Sequence, residues 1–200
     1  MQLTTIPDLM KDLPVDRRGY PVPFVVIVDG NGTPHFKAND YKRYQACIER
    51  RLCNICGKAL KREFWFLGGQ ESAFHPHGAF VDGPLHHGCG LFALQNCPYM
   101  LYTDYRAKED EAAIKGKMAG DVATERFHNP TQTDERLLFF VFARAKEFTV
   151  NRHPKFQGAE TFKPHRPYEE VEYYREGGRI HKAEAKNLLI TAGRPCYFPR

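Results

Sequence analysis

Two short pairs of metal-loving residues constrain this 200-residue chain more than any other feature: Cys53 and Cys56 ahead of Gly57, then His86 and Cys89. Each pair holds two ligand-type side chains at an interval that lets both face one point. A tight turn after Cys53 does this for the thiols, with Gly57 free to take positive φ. Pro84 and the helical run Leu91–Gln95 place His86 and Cys89 on one face of a helix's first turn. The helix dipole there also favours a thiolate at Cys89. Four Cys/His ligands delivered as two close pairs are how tetrahedral structural zinc is usually held. The competing reading is a set of reduced, buried thiols. A thioredoxin-like redox pair is disfavoured, because no βαβ pattern surrounds Cys53 and Cys56.

A pair on a turn followed by a pair on a helix's first turn is the treble-clef order, so the expected ligands are Cys53, Cys56, His86 and Cys89. His87 is a less natural fourth ligand at its spacing, and His75 and His77 sit on a loop. Cys97 lies too far along the helix to share the ion and reads as core beside Pro98, which stops the helix. Cys47 and Cys196 have no spacing partner and read as ordinary thiols.

The expected fold class is α+β, with a treble-clef-like zinc-stabilised core and a small β-rich C-terminal half. Phe24–Val28 and Pro34–Lys37 read as a hairpin around Asp29-Gly30-Asn31-Gly32, followed by a helix from Tyr41 to about Arg51. Glu63–Leu67 and Ala79–Val81 read as strands between the two pairs. Residues 1–102 thus form a hairpin, helix and zinc-binding domain. Residues 103–135 are a charged helical connector weakened by Gly116 and Gly120. Residues 136–200 form the β-rich part: a central strand at Leu137–Ala143, a partner for it at Glu147–Val150, and an irregular loop at 151–168. A strand at Val171–Tyr174, a turn at Glu176–Arg179 and a helix from His181 to Ile190 complete it. Glu169, Glu170, Glu172 and Glu176 read as a solvated strand face.

Several stretches resemble a family of uncharacterised bacterial and phage proteins with a Cys-x-x-Cys…His-x-x-Cys treble-clef-like zinc site. They are Leu13–Phe24 (LPVDRRGYPVPF), Cys53–Gly57, Pro84–Cys89 leading into Asn96-Cys97-Pro98, and Val171–Arg179 (VEYYREGGR). The histidine of that pattern falls on His86. Gly88 and Gly90 stand where helix formers are expected, which implies an irregular helix start. The resemblance implies zinc and a fold type, and it names no reaction.

No apolar run approaches the ~18 residues of a membrane span. The first residues carry neither the basic nor the apolar region of a secretory signal, so a cytoplasmic protein with no membrane partner is expected. The net charge of +5 is uneven. Lys42, Arg43, Arg50, Arg51, Lys58, Lys61 and Arg62 crowd residues 41–62 against Glu49 alone, with Tyr41, Tyr44, Phe64 and Trp65 close by. That pattern suits a nucleic-acid footprint beside a rigid zinc knuckle. It equally suits a solvated face that offsets the acidic stretch at 104–135.

The expected function is a non-catalytic zinc-stabilised module that binds nucleic acid or a protein partner through residues 41–62. The alternative is an HNH-type metal-dependent nuclease on the same scaffold, with candidates His75, His77, Asp82, His87 and Asn96. An Asp-His strand end is missing from Phe80–Pro84, and no nucleophile elbow, phosphate-binding loop or His-Glu-x-x-His is present. The reading therefore leans away from an enzyme.

Overall fold

The computed structural model describes residues 3–102, 136–152 and 160–198. The expected connector at 103–135 lies outside the described residues. The chain is α+β. Strands β1 (Val26–Val28) and β2 (Pro34–Asn39) form the expected antiparallel hairpin. Its turn is closed by the Asp29 carboxylate, which accepts from the Asn31 and Thr33 amides. Helix α1 (Tyr41–Arg50) follows at once, capped by Asp40 accepting from the Arg43 amide. Tyr44, Cys47 and Ile48 form its buried face.

A four-stranded antiparallel sheet is the centre of the molecule. Its order is β3 (Phe64–Gly68), β4 (Phe140–Ala145), β7 (Glu170–Arg175), β8 (Gly178–Ile180). Its first strand comes from residues 1–102 and the rest from 136–200, so both stretches contribute to one sheet. Both faces are covered, because β3 and β4 carry bulky apolar residues at nearly every position. One face, with Phe64 and Phe66, packs against a separate ribbon of β5 (Phe148–Asn151) and β6 (Thr161–Pro164), joined through Phe148, Phe162 and Phe80. Short helix α2 (Gln70–Phe74) also supplies buried Ala73 and Phe74 to the core.

The opposite face carries Trp65 and Phe142, and helix α3 (His87–Asn96) lies on it. Helix α4 (Pro98–Leu101) follows immediately, with Pro98 at its first turn; Cys97 is half-buried at the junction. Helix α5 (Lys182–Thr191) closes the chain, its first turn capped by the His181 ring accepting from the Ala183 amide.

Four sequence expectations change. Glu147–Val150 does not pair with the central strand: β4 is already hydrogen-bonded on both edges by β3 and β7, so β5 takes β6 instead. The supposed loop at 151–168 therefore contains a strand. Ala79–Val81 contributes only one bridge, Phe80 to Phe162. The start of α3 is regular in spite of its glycines. Gly90 is there because the Phe142 ring occupies the space a side chain needs: a Cβ at position 90 meets Phe142 Cζ at 2.4 Å.

Candidate metal centre

The first pair sits on a knuckle at the end of α1. The helix stops at Arg51, which adopts a left-handed conformation (φ 51°). The chain then folds back on itself: Cys53 N donates to Lys58 O, and Leu60 N donates to Arg51 O, both at 2.9 Å. Gly57, at φ +69°, makes the reversal, and the Phe24 ring lies 2.7 Å from where its Cβ would be. The knuckle is tied on both flanks. Phe24 N and Val25 N donate to Ile55 O and Asn54 O, and Asn54 N donates to Pro84 O.

The second pair arrives through β3. Trp65 and Leu85 exchange backbone hydrogen bonds of 2.8 and 3.2 Å, so the residue after Leu85 emerges beside the knuckle. His86 is the N-cap of α3, and Cys89 lies in its first turn. Together the ligand atoms of Cys53, Cys56, His86 and Cys89 all lie within 4.8 Å of one another, close enough to hold one metal ion. Cys53 and Cys89 are fully buried and Cys56 is 6 % exposed.

The hydrogen bonds set the donors' roles. His86 Nε2 donates to the Ala59 carbonyl at 3.2 Å, which leaves Nδ1, 3.3 Å from Cys56 Sγ, as the coordinating nitrogen. His86 N donates to Cys53 Sγ at 3.5 Å. Donors packed this closely compete for protons. Hydrogen bonds from the Cys53 and Cys89 sulfurs drive the Cys56 thiol far below its ordinary range. The Cys89 thiol is driven up by Cys53 and Cys56, and the His86 imidazolium is raised to about 10 by the Cys53 and Cys56 sulfurs. A divalent cation held by these four residues would take the place of those protons.

Cys47 lies on α1 near this group but outside it, and burial pushes its thiol up to about 12. Alkylation of the native protein followed by peptide mapping is expected to modify exposed Cys196 well before buried Cys47. Equal rates at the two positions would contradict the buried placement.

The basic residues divide into two sets. Arg43 donates to the Phe24 carbonyl, Arg51 forms a two-pronged ion pair with Glu147, and Lys58 meets Asp12 at 3.0 Å. Arg51 also lies over the Phe64 and Phe148 rings, 5.0 and 5.1 Å from their centroids. Lys42, Arg50, Lys61 and Arg62 are exposed and have no charge partner among the described residues. Of the nearby aromatics, Tyr44, Phe64 and Trp65 are buried core residues, whereas Tyr41 is half-buried at the start of α1.

The nuclease candidates occupy four neighbourhoods. His75 and His77 contact each other, and His75 also meets the Tyr197 ring. Asn96 is buried, donating to Thr4 Oγ1 and the Phe92 carbonyl while its own oxygen accepts from Thr4 N. His87, nine residues earlier on α3 and so about 13 Å along its axis, stacks on Phe142 and donates from Nε2 to Glu172. Asp82 is exposed in the approach to Pro84.

Glu172 overturns the solvated-face expectation. It is 4 % exposed, accepting from His87 at 3.2 Å, Tyr174 Oη at 2.9 Å and Arg179 at 3.1 Å. Register explains it: Glu172 pairs with Phe142 and so shares the face that α3 covers. The strand's alternation carries no signal of that helix. The Ala59 carbonyl behind His86 was equally invisible, since any residue type supplies a carbonyl.

No helix among the described residues is long and apolar enough to cross a membrane. No family model, curated protein or solved structure matches the chain, so the metal cluster itself is the firmest lead to what the molecule does.

Proposed function

We propose that Cys53, Cys56, His86 and Cys89 hold one structural zinc ion in a treble-clef core, and that the protein is a non-catalytic module binding an anionic partner through its 41–62 surface. The observation that carries the reading is the four-donor cluster. Zinc bonds of about 2.1–2.3 Å put tetrahedral ligand atoms roughly 3.4–3.8 Å apart, and the four donors here lie within 4.8 Å. Three thiols and one imidazole fill all four positions and leave none for water or substrate, the mark of a structural rather than catalytic zinc site. Knuckle, paired β3–Leu85 segment and helix follow in treble-clef order.

The partner-binding half rests on four exposed cations, Lys42, Arg50, Lys61 and Arg62, that have no charge partner among the described residues. A non-catalytic role is supported by the separation of His75, His87 and Asn96, since catalysis needs groups that converge on one reacting atom. Elemental analysis of protein purified without chelators is expected to give about one zinc per chain. Retention on a heparin column is expected to fall sharply when Lys42, Arg50, Lys61 and Arg62 are replaced by Glu. No zinc, or unchanged retention, defeats the corresponding half of the reading, and Mg²⁺-dependent plasmid cleavage lost in His87→Ala would favour the nuclease instead.

A further inference from the structure

We infer that the anionic partner is a nucleic-acid duplex held by its phosphates alone, without base stacking or sequence readout; this rests on the basic-surface reading above. Three observations narrow the partner class. First, residues 41–62 expose no large apolar anchor of their own. Protein–protein interfaces depend on a buried core of aromatic or aliphatic side chains ringed by polar ones. The large exposed hydrophobics among the described residues are Leu9, Val15, Val28, Phe36, Val81, Tyr99, Tyr102 and Ile190, and none falls within 41–62. Charge without an anchor suits a phosphate backbone better than an acidic protein face.

Second, the surface lacks a stacking platform. Single-strand binders draw about 1–3 kcal/mol per base from exposed aromatics. Here Tyr44, Phe64 and Trp65 are at most 5 % exposed, Tyr41 is half-buried, and the Arg51 guanidinium is already spent on Glu147, Phe64 and Phe148. No aromatic ring of residues 41–65 is therefore fully open to a base.

Third, the free cations stand on a rigid frame. Lys42 and Arg50 lie eight residues apart on α1, roughly 12 Å along its axis. Leu60 N bonds to Arg51 O, which sets Lys61 and Arg62 at the Arg50 end of the helix. A duplex carries one charge per ~1.7 Å of axis, so a 12 Å span passes about seven phosphates. Cations carried on an ordered helix and knuckle meet phosphates with little backbone ordering cost.

The test is fluorescence anisotropy with the zinc-loaded full chain at 50 and 200 mM salt. The probes are two unrelated duplexes of about 20 base pairs, one of their single strands, and poly-L-glutamate. The two duplexes are expected to bind alike, and tighter than the single strand. Four released counterions correspond to a loss of about 100-fold in affinity across that salt range. Replacing Lys42, Arg50, Lys61 and Arg62 by Gln together is expected to flatten the salt slope by about 3–4, since each phosphate-contacting cation carries about one unit. Tighter binding to the single strand, discrimination between the duplexes, or a slope unmoved by the four substitutions overturns the inference. Binding of poly-L-glutamate but not duplex overturns it while leaving the basic-surface reading standing, and binding of neither overturns both.

Discussion

Chelation of the zinc-loaded protein is expected to lower its melting temperature by about 8–16 °C. Zinc at a thousand times its dissociation constant contributes about 4 kcal/mol to folding. For a chain of this size each kcal/mol is worth about 2–4 °C. An ion would matter this much because it would join two segments some thirty residues apart, the knuckle and the start of α3, through four donors that lie within 4.8 Å of one another. Cys56→Ser, measured in zinc, is expected to reproduce most of the loss, whereas Cys196→Ser, at an exposed position away from the cluster, leaves the transition unchanged. Scanning calorimetry of the two variants and of chelated wild type decides the matter: coincident transitions with and without zinc would defeat the metal assignment.

The second large effect lies at Phe142. This fully buried ring is centred 4.6 Å from the Trp65 ring and 5.4 Å from the His87 ring, and it fills the notch left by Gly90. Phe142→Ala removes the side chain that joins the central strand to α3. Truncations of this kind cost about 3–5 kcal/mol through lost transfer energy and the cavity left behind, or roughly 6–20 °C here. Phe142→Leu is expected to cost much less, because it keeps most of the volume. There is a second readout. Helix α3 carries His86 and Cys89, so loosening its seat is expected to speed zinc transfer to a chromophoric chelator. Urea denaturation and the rate of metal release test the two effects separately; an Ala variant as stable as wild type would remove Phe142 from its proposed place as the link between sheet and metal helix.

The legible parts of this molecule are the local ones. Asp40 capping α1, Gly57 at positive φ and the turn at Glu176–Gly177 depend on residues within a few positions of one another. A Cys-x-x-Cys turn and a His-x-x-Cys helix start are equally local, so each pair of candidate ligands was visible. What lay beyond reach were pairings over long separations. Glu172 reads as solvated until β7 is set beside β4 and α3 is laid over both. Glu147–Val150 reads as a partner for β4 until β3 and β7 are seen to occupy its two edges. The seven basic residues read as one footprint until Glu147 and Asp12, distant in the chain, pair with Arg51 and Lys58.

The sequence by itself determined which residues are able to bind a metal and where the chain turns, because ligand chemistry and backbone conformation are properties of short segments. Only the tertiary structure decided that the two pairs meet, that Arg51 and Lys58 are spoken for, and that Tyr44, Phe64 and Trp65 beside the basic block are core. The reason is the same in each case: the β3–Leu85 pairing, the β3–β4–β7 register and the packing of α3 are contacts between distant segments, and side-chain burial follows from those contacts rather than from neighbours in the chain.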